Sequence, residues 1–287
     1  MDVIREPVDM QRWAGRMRRA GESIGLVPTM GYLHAGHVAL VRRCGELAGK
    51  TVVSIYVNPT QFGPGEDLDT YPRDLDRDLD TCRSEGVDAV FYPTDAGMYV
   101  SDHSVFVTED CLANRLCGAS RPGHFRGVLT IVCKLFNLVG PSVAVFGRKD
   151  YQQAVLIRRM VRDLDFGVRI VAAPTVRESD GLAMSSRNRY LSDGERKQAL
   201  ALRRALAAAE RMHADGVQDG ADLKAGMMAC FEAARGVTLE YLEIVDAETL
   251  DPVDRVGRPA AVLLAARVGN TRLIDNTVLP PGAGIEG

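Results

Sequence analysis

A change of hydrophobic period marks residues 24–41, which read IGLVPTMGYLHAGHVALV. The first four residues predict a buried strand, and the last four begin a helical pattern. A helix N-terminus offers unpaired N–H groups and the positive end of the helix dipole, so it attracts anions. His34 and His37 are three residues apart and are predicted to share one face of the first turn, where Gly36 lets a ligand approach the backbone.

This arrangement favours a triphosphate site. Metal binding is a weaker alternative, because no nearby set of Cys, Asp or Glu ligands accompanies the two histidines. The other alternative is that His34 and His37 are ordinary surface or core residues, and the spacing by itself leaves it open.

Short apolar runs alternate with helical patterns from Ile24 to about Thr175. Further strands are predicted at 51–57, 89–92, 143–146 and 168–172, with helices at about 38–48, 74–86, 126–139 and 151–164. Such alternation is typical of an α/β fold with a doubly wound parallel (Rossmann-like) sheet. In these sheets ligands bind at the carboxyl ends of the strands, near the switch in strand order.

The pattern changes after about residue 192. Helices are predicted at 193–214 and 219–234, followed by strands at 239–245, 260–268 and 271–276, the last two joined by a Gly269-Asn270 turn. This predicts a second, smaller α+β domain with a boundary near residue 175. This domain could contribute to the chemistry, and the alternative is a lid or dimer support with no chemistry of its own.

Composition excludes several classes of function. The 287 residues carry a net charge of -3, which offers no basic surface for nucleic acid or an anionic membrane. No apolar run approaches the roughly 18 residues that span a bilayer, and the N-terminal residues do not resemble a signal peptide. The six cysteines form no CxxC pair, which indicates reduced, mostly structural thiols in a cytoplasmic protein.

Two familiar phosphate motifs fail. Residues 45–51 read GELAGKT, one residue short of a P-loop, and they precede a strand where a P-loop follows one. No G-x-G-x-x-G sequence follows a predicted strand into a helix, which argues against a dinucleotide-binding Rossmann site.

Residues 147–150, GRKD, follow a strong predicted strand and begin a helix. Lys149 is suited to reach phosphates as a point charge, and Asp150 is suited to cap the helix. A plain capped turn is the alternative. Gln152 and Gln153 follow in the first turn, where one of the two is expected to point into a ligand cleft.

Residues 58–63, NPTQFG, end another predicted strand with amide side chains. An amide both donates and accepts hydrogen bonds, which suits a hydroxy acid. For Asn58 the default interpretation is ordinary turn chemistry. The acidic run 67–80 is interpreted as a solvated helix face, from which one carboxylate could help to hold Mg²⁺.

Residues 177–188, RESDGLAMSSRN, are rich in hydroxyl and charged groups beside a glycine. Ser185, Ser186 and Arg187 are suited to bind the outer phosphates of a nucleotide and to stabilise departing pyrophosphate. The alternative is a flexible polar linker.

The chain resembles the pantothenate synthetase (pantoate–β-alanine ligase) family of the HIGH-type nucleotidyl-transferring superfamily over nearly its whole length. The resemblance rests on four segments in the family's order: PTMG-x-LH-x-GH at 28–37, NP-x-QF at 58–62, G-x-KD-x-QQ at 147–153 and R-x-x-DGLAMSSRN at 177–188. The first occurs more loosely in tRNA synthetases and cytidylyltransferases, whereas the combination is far more specific.

The resemblance implies ATP-dependent ligation of (R)-pantoate with β-alanine through a pantoyl-adenylate intermediate, giving pantothenate, AMP and pyrophosphate. It implies a Rossmann-like ATP/pantoate-binding domain at 1–175 and a smaller C-terminal α+β lid domain at 176–287. It also implies a cytoplasmic homodimer that uses Mg²⁺. The alternatives are a nucleotidyltransferase without a ligation step and a non-catalytic nucleotide-binding module.

The resemblance also assigns residues. The catalytic set, which neutralises phosphate charge, is His34, His37, Lys149, Ser185, Ser186 and Arg187, with proton donation by His37. Gln61 and Gln153 hold pantoate, and Gln61 also contacts β-alanine. The implied ATP contacts are Met30, Gly31, Tyr32, Leu33, His34, Ala35, Gly36, His37, Gly147, Arg148, Lys149, Asp150, Val176, Met184, Ser185, Ser186 and Arg187.

Two positions depart from the family pattern. Arg148 and Ala35 stand where an acidic residue is expected. Neither residue is needed for the chemistry, and both bear on the local affinity for ATP and on the placement of Mg²⁺.

Overall fold

The computed structural model describes residues 1–281, which form two compact units. The first unit comprises Met1–Arg148 and Leu156–Pro174, and the second comprises Lys149–Val155 and the chain from Thr175 onward. The domain division at 175/176 remains a prediction, and the last six residues of the predicted second domain lie outside the described range. Within that range, no helix is both long enough and apolar enough to cross a membrane.

The first unit is built on six strands and their connecting helices. In chain order these are β1 (Asp2–Ile4), α1 (Pro7–Arg19), β2 (Ile24–Thr29), α2 (Ala35–Gly45), β3 (Lys50–Ile55), α3 (Leu75–Ser84), β4 (Ala89–Phe91), α4 (Asp95–Met98), α5 (Cys117–Ser120), α6 (His124–Val139), β5 (Val143–Gly147), α7 (Tyr151–Asp163) and β6 (Arg169–Ala173). The first five residues of α7 belong to the second unit.

The six strands form one parallel sheet in the order β1-β4-β3-β2-β5-β6. The chain runs outward from β2 through β3 to β4 and then crosses to the other side of β2 with β5 and β6. The switch in strand order therefore lies between β2 and β5, where Leu26 pairs with Val52 on one side and with Ala144 on the other. Ligands of such sheets bind at the carboxyl ends of the strands flanking this switch.

Alternation of side chains along the strands builds the core under α2 and α3. Val27, Val53, Val90 and Val145 point to the same face, and all four are fully buried in one apolar cluster with residues of both helices. Full burial of each such side chain stabilises the fold by roughly 1.5–3 kcal/mol. This packing fixes α2, and with it the His34–His37 turn, against the central strands.

The second unit contains α8 (Asp193–Ala214), α9 (Gly220–Glu232), β7 (Val237–Asp246), β8 (Ala260–Val268) and β9 (Thr271–Leu279). The three strands form an antiparallel sheet in the order β7-β8-β9. Helix α8 begins with a capping box in which Ser192 and Glu195 each bond the other's backbone N–H. Its alanine-rich apolar face joins α9 and the sheet in a single buried cluster.

The predicted fold class is confirmed: a doubly wound parallel sheet with a smaller α+β unit. The prediction began at Ile24 and therefore omitted β1 and α1. Strand β1 is too short to show a period, but α1 carried a readable signal. It has Pro7 at its first position, and its buried residues Met10, Trp13 and Ala14 follow i, i+3, i+4 spacing.

Candidate active site

The loop after β2 carries the predicted motif, and a buried carboxylate shapes it. Both oxygens of Asp78 accept hydrogen bonds, from the backbone N–H of Tyr32 at 2.7 Å and from that of Leu33 at 2.7 Å. Gly31 has a φ of +82°, and a Cβ built there would lie 2.9 Å from both Asp78 and Ile55. Glycine is therefore required at this turn by conformation and by space.

Asp78 was missed by the sequence reasoning, which interpreted the acidic run 67–80 as a solvated helix face from which one carboxylate could help to hold Mg²⁺. That interpretation is wrong for this residue, because Asp78 is 1% exposed. Burial raises the pKa of its carboxyl group, against the lowering effect of the two backbone donors. The readable signal was position: Asp78 lies three residues after Leu75 and four before Cys82, on the apolar face of α3.

His34 and His37 form a capping box at the start of α2. His34 Nδ1 accepts from the backbone N–H of Gly36 at 3.1 Å, and His37 Nδ1 accepts from the backbone N–H of His34 at 3.3 Å. The two ring centroids are 4.1 Å apart. Since each Nδ1 is an acceptor, each neutral ring carries its hydrogen on Nε2. Both imidazoles are thus set as Nε2–H donors, a form suited to phosphate oxygens.

Gln61 lies next to this loop within the first unit. It ends a short 3-10 helix, Pro59–Gln61, and its Nε2 donates to Met30 Sδ at 3.1 Å. Asn58 Nδ2 donates to Gln61 Oε1 at 3.1 Å. Two predicted segments, the loop after β2 and the segment after β3, are therefore brought together.

Asn58 does more than shape a turn. It is 1% exposed, and its Nδ2 also donates to the carbonyl of Gly127 at 3.1 Å. Its Oδ1 accepts from Tyr99 Oη at 2.8 Å and from Thr60 Oγ1 at 3.0 Å. A buried amide with all these partners fixes the orientation of the neighbouring Gln61 amide.

A cavity of about 420 Å³ opens beside the loop after β2, within the first unit. Its lining includes Met30, Gly31 and Tyr32 and the segments that follow β3 and β4. The carboxyl ends of these parallel strands thus form a concave surface next to the predicted ATP residues.

The GRKD segment divides at the unit boundary. Gly147 ends β5, and the exposed Arg148 donates its backbone N–H to Ala173 O at 2.8 Å. In the second unit, the carbonyl of Lys149 accepts from Asn276 Nδ2 at 2.8 Å. The Asp150 carbonyl accepts from the backbone N–H of Ala154, so the segment enters the first turn of α7.

The two glutamines of that turn separate clearly. Gln152 is buried at 5% exposure, whereas Gln153 is partly exposed. Gln153 is therefore the more accessible of the two, and its contact with a ligand stays a prediction.

The 176–188 segment is a folded turn of the second unit, which argues against the flexible linker. Met184 donates its backbone N–H to Val176 O at 3.0 Å, which joins the two predicted ATP contacts. Arg177 forms a two-point ion pair with the buried Asp275, at 2.7 and 2.9 Å. The segment is therefore anchored to β9.

Ser185 and Arg187 come directly after this turn in the chain. Ser185 caps a 3-10 helix, Ser186–Tyr190, by accepting from the backbone N–H of Arg187 at 3.3 Å. Asn188, which is buried, donates to the Ala183 carbonyl at 3.0 Å and to Glu178 at 2.6 Å. These contacts hold the Ser-Ser-Arg run in one conformation.

A parallel sheet with a histidine-capped helix at its switch strand is typical of nucleotide-binding α/β proteins. The family model for pantoate-beta-alanine ligase matches residues 2–278. The pantothenate synthetase of Thermotoga petrophila is 51% identical over 97% of this chain and 100% of its own length. The chain belongs to the pantoate–β-alanine ligase family and is an ATP-binding ligase of pantothenate biosynthesis.

Solved structures agree. The pantothenate synthetase of Thermus thermophilus superimposes with a TM-score of 0.93 at 44% identity, covering 98% of this chain and 100% of that one. A pantoate–β-alanine ligase from Francisella tularensis, solved in complex with beta-gamma ATP and β-alanine, gives a TM-score of 0.81 at 31% identity, with 97% of both chains covered.

Proposed function

We propose that this ligase joins (R)-pantoate to β-alanine in two steps, through a pantoyl adenylate, giving pantothenate, AMP and pyrophosphate. The observation that supports this most directly is the Gln61 amide, held between Asn58 and Met30 at the start of the histidine loop. An amide suited to a hydroxy acid therefore lies beside a loop suited to phosphate.

In the first step a pantoate carboxylate oxygen attacks the α-phosphorus of ATP, and the bond from that phosphorus to the bridging oxygen breaks, releasing pyrophosphate. In the second step the amine of β-alanine attacks the acyl carbon, the carbon–oxygen bond to AMP breaks, and the amine loses a proton. Activation is necessary because a carboxylate oxygen is a poor leaving group. No side chain forms a covalent intermediate.

Attack of an anion on a polyanion requires positive potential that is in place before reaction. His34 and His37 supply Nε2–H donors to phosphate oxygens, with His37 as the proton donor. From the second unit, Lys149, Ser185, Ser186 and Arg187 bind phosphate oxygens and stabilise departing pyrophosphate. The exposed guanidinium of Arg148 adds positive charge to this set.

The remaining proposed ATP contacts are Met30, Gly31, Tyr32, Leu33, Ala35, Gly36, Gly147, Asp150, Val176 and Met184. Gln61 and Gln153 bind pantoate, and Gln61 also binds β-alanine. An amide pair suits pantoate because it can donate to a carboxylate and accept from a hydroxyl group.

Mg²⁺ is proposed to bind through ATP. Among residues 1–281 no group of three or more His, Cys, Asp or Glu side chains is placed to hold a metal ion. Mg²⁺ commonly binds substrate phosphates and waters with few protein ligands. Residues 1–281 therefore show no dedicated all-protein magnesium site, and the steps above are assigned to side chains alone.

Isotope exchange tests the intermediate. Enzyme with ATP, pantoate and labelled pyrophosphate, without β-alanine, is expected to form labelled ATP, because adenylation is reversible. Addition of β-alanine should then yield pantothenate and AMP in equal amounts. If active enzyme shows no pantoate-dependent exchange, reversible formation of the adenylate with release of pyrophosphate is excluded.

We also propose that the ligase is a cytoplasmic homodimer. The six cysteines are all free, as in a reducing compartment. Light scattering of the purified protein is expected to give about twice the 31.2 kDa chain mass. A monomer mass at micromolar concentration would contradict the dimer.

A further inference from the structure

The backbone carbonyl of Gln61 is bonded by two side chains, and a third side chain pairs with one of them. The three are Glu66, Arg121 and His124, which we call the clasp. Arg121 lies between α5 and α6, and His124 begins α6. The side chains of Arg121 and Glu66 are 12% and 25% exposed, so their ion pair is largely shielded from water.

The Arg121 guanidinium uses all three of its nitrogens. Nε donates to Glu66 Oε1 at 2.7 Å, and Nη2 donates to the other carboxylate oxygen. Nη2 also donates to the Gln61 carbonyl at 3.3 Å. A two-point pair of this kind fixes direction as well as distance, which a single ammonium group cannot do.

His124 completes the clasp in a defined tautomer. Its Nδ1 lies 2.8 Å from the Gln61 carbonyl, and its Nε2 lies 3.0 Å from Arg121 Nη1. A carbonyl only accepts and a guanidinium only donates. Nδ1 therefore carries the hydrogen and donates to Gln61, while Nε2 accepts from Arg121.

Close packing of α6 supports the same contact. A Cβ built on Gly127 would lie 2.3 Å from the carbonyl oxygen of Thr60 and 2.6 Å from the Cα of Gln61. Such distances are impossible for real atoms, so glycine lets α6 approach this backbone directly. The Gln61 carbonyl is thus held by Arg121 and His124, its Cα packs against α6 at Gly127, and its side chain contacts Asn58 and Met30.

We propose that Glu66, Arg121 and His124 are positioning residues for the ligation, which hold the Gln61 backbone so that its amide meets pantoate and β-alanine in the reactive geometry. The proposal rests on the proposed role of Gln61. Displacement of a binding group by about 1 Å can cost about 10²-fold in rate. Because Gln61 is proposed to bind pantoate and β-alanine, we expect the clasp to affect these two substrates and not ATP.

Steady-state kinetics with each substrate varied in turn test this. Arg121→Lys keeps the charge but loses the fork, and is expected to raise the pantoate KM about tenfold while the ATP KM stays within about twofold. Arg42→Lys is the control, because Arg42 forms a two-point pair with Glu85 at 2.7 and 2.8 Å outside the clasp. It is expected to leave all three KM values unchanged.

A second pair of variants separates positioning from folding. His124→Leu removes the donor to Gln61 and is expected to raise the pantoate KM about tenfold. His124→Asn puts an amide N–H near the place of Nδ1 and is expected to recover a pantoate KM within about threefold of wild type. Recovery of KM by asparagine is not expected from a residue that only stabilises the fold.

The outcomes are distinct. Active wild-type enzyme with an unchanged pantoate KM in both Arg121→Lys and His124→Leu would overturn the clasp, as would an equal rise in the ATP KM. If Arg121→Lys shows no cooperative thermal unfolding, the two His124 variants decide by the same criterion. A wild-type enzyme that forms no pantothenate would instead overturn the proposed function.

Discussion

At the scale of single residues, His34 and His37 each have a capping role, and the proposed function gives each ring a second, chemical role. Nδ1 of each ring satisfies a backbone N–H at the start of α2, and this leaves the hydrogen on Nε2. The helix end, which is suited to an anion, is thus completed by groups that are themselves suited to donate to one. The capping role and the phosphate role use different nitrogens, so substitutions can separate them.

Substitutions at His37 test that separation. His37→Ala is expected to lower turnover about 10²-fold or more, in the range for a lost general acid. His37→Asn keeps a short side-chain acceptor for the cap but does not reach as far as Nε2, so it should retain the thermal stability and lose the turnover. His37→Gln, which reaches further, can donate a hydrogen bond but not a proton, so it should recover only the part of the turnover that depends on hydrogen bonding to phosphate. Rates of AMP formation and melting temperatures give the answer, and wild-type turnover in His37→Ala would remove this residue from the mechanism.

Asp78 is a second residue whose effect is predicted from its partners. Asp78→Asn replaces one acceptor oxygen by an N–H₂ group that faces a backbone N–H donor. We expect a loss of roughly 1–3 kcal/mol in the free energy of unfolding, the cost of an unsatisfied buried donor, together with a higher ATP KM because the Tyr32–Leu33 backbone moves. Urea titration and ATP kinetics measure both effects.

Asp80→Asn is the matched control for that variant. Asp80 lies on the same helix, is exposed, and pairs with Arg83 at the surface. Surface substitutions of this kind usually change stability by about 0.5 kcal/mol or less. Equal stability losses in the two variants would show that Asp78 has no special part in holding the loop.

At the scale of elements, the loop carrying Glu66 is tied to the segment between α5 and α6 by a titratable pair. Burial opposes ionisation of Glu66, but the hydrogen bonds and charge of Arg121 outweigh it and hold its pKa below the ordinary value. A lowered folded-state pKa gives stability that is present above the unfolded-state pKa and is lost as pH falls through the folded-state pKa. The difference in unfolding free energy between wild type and Glu66→Gln should therefore be constant near neutral pH and shrink below about pH 4. Urea titrations from pH 7 to pH 3.5 test this, and a difference that does not shrink would contradict it.

The end of β5 gives another element-scale prediction. A Cβ built on Gly147 meets no protein atom within 4 Å, and no positive φ requires glycine there. The protein itself therefore tolerates alanine, whereas the proposed approach of an ATP phosphate to this backbone would be obstructed by the added Cβ. Gly147→Ala is expected to keep the melting temperature and raise the ATP KM about tenfold, equivalent to roughly 1.4 kcal/mol.

Gly167→Ala is the control, since a Cβ at Gly167 also meets nothing within 4 Å and the residue precedes β6, outside the motif segments. It should leave the ATP KM unchanged. If Gly147→Ala also leaves the ATP KM unchanged, the end of β5 does not contact the nucleotide.

Elements with a clear period were predictable, and contacts between distant elements were not. The strands around Val27, Val53 and Val145 follow from local apolar runs, and the strand ends locate the motif segments. The partners of those segments were hidden, because Asp78 lies more than 40 residues from the loop it holds. Arg121 lies 60 residues from Gln61, and nothing local in its sequence announces the contact.

At the scale of the whole molecule, the six cysteines differ in burial, and burial lowers the reactivity of a thiol. Cys44, Cys82 and Cys117 are buried, Cys133 and Cys230 are intermediate, and Cys111 is exposed. Burial raises the pKa of Cys44 to about 11 and that of Cys82 to about 12. Because the thiolate is the reactive form, on the order of 10⁻³ or less of these two groups is reactive at pH 8.

A thiol reagent at pH 8 should therefore modify Cys111 of the native ligase quickly, and Cys44 and Cys82 only through opening of the first unit. Peptide mapping after timed exposure distinguishes the sites, and the slow rate should follow the unfolding rate when urea is raised below the transition. Cys111→Ser is expected to remove the fast phase while leaving turnover intact, since Cys111 belongs to none of the proposed contacts. Rapid modification of Cys44 in the folded enzyme would mean that the cluster beneath α2, which fixes the histidine turn, opens far more readily than its burial implies.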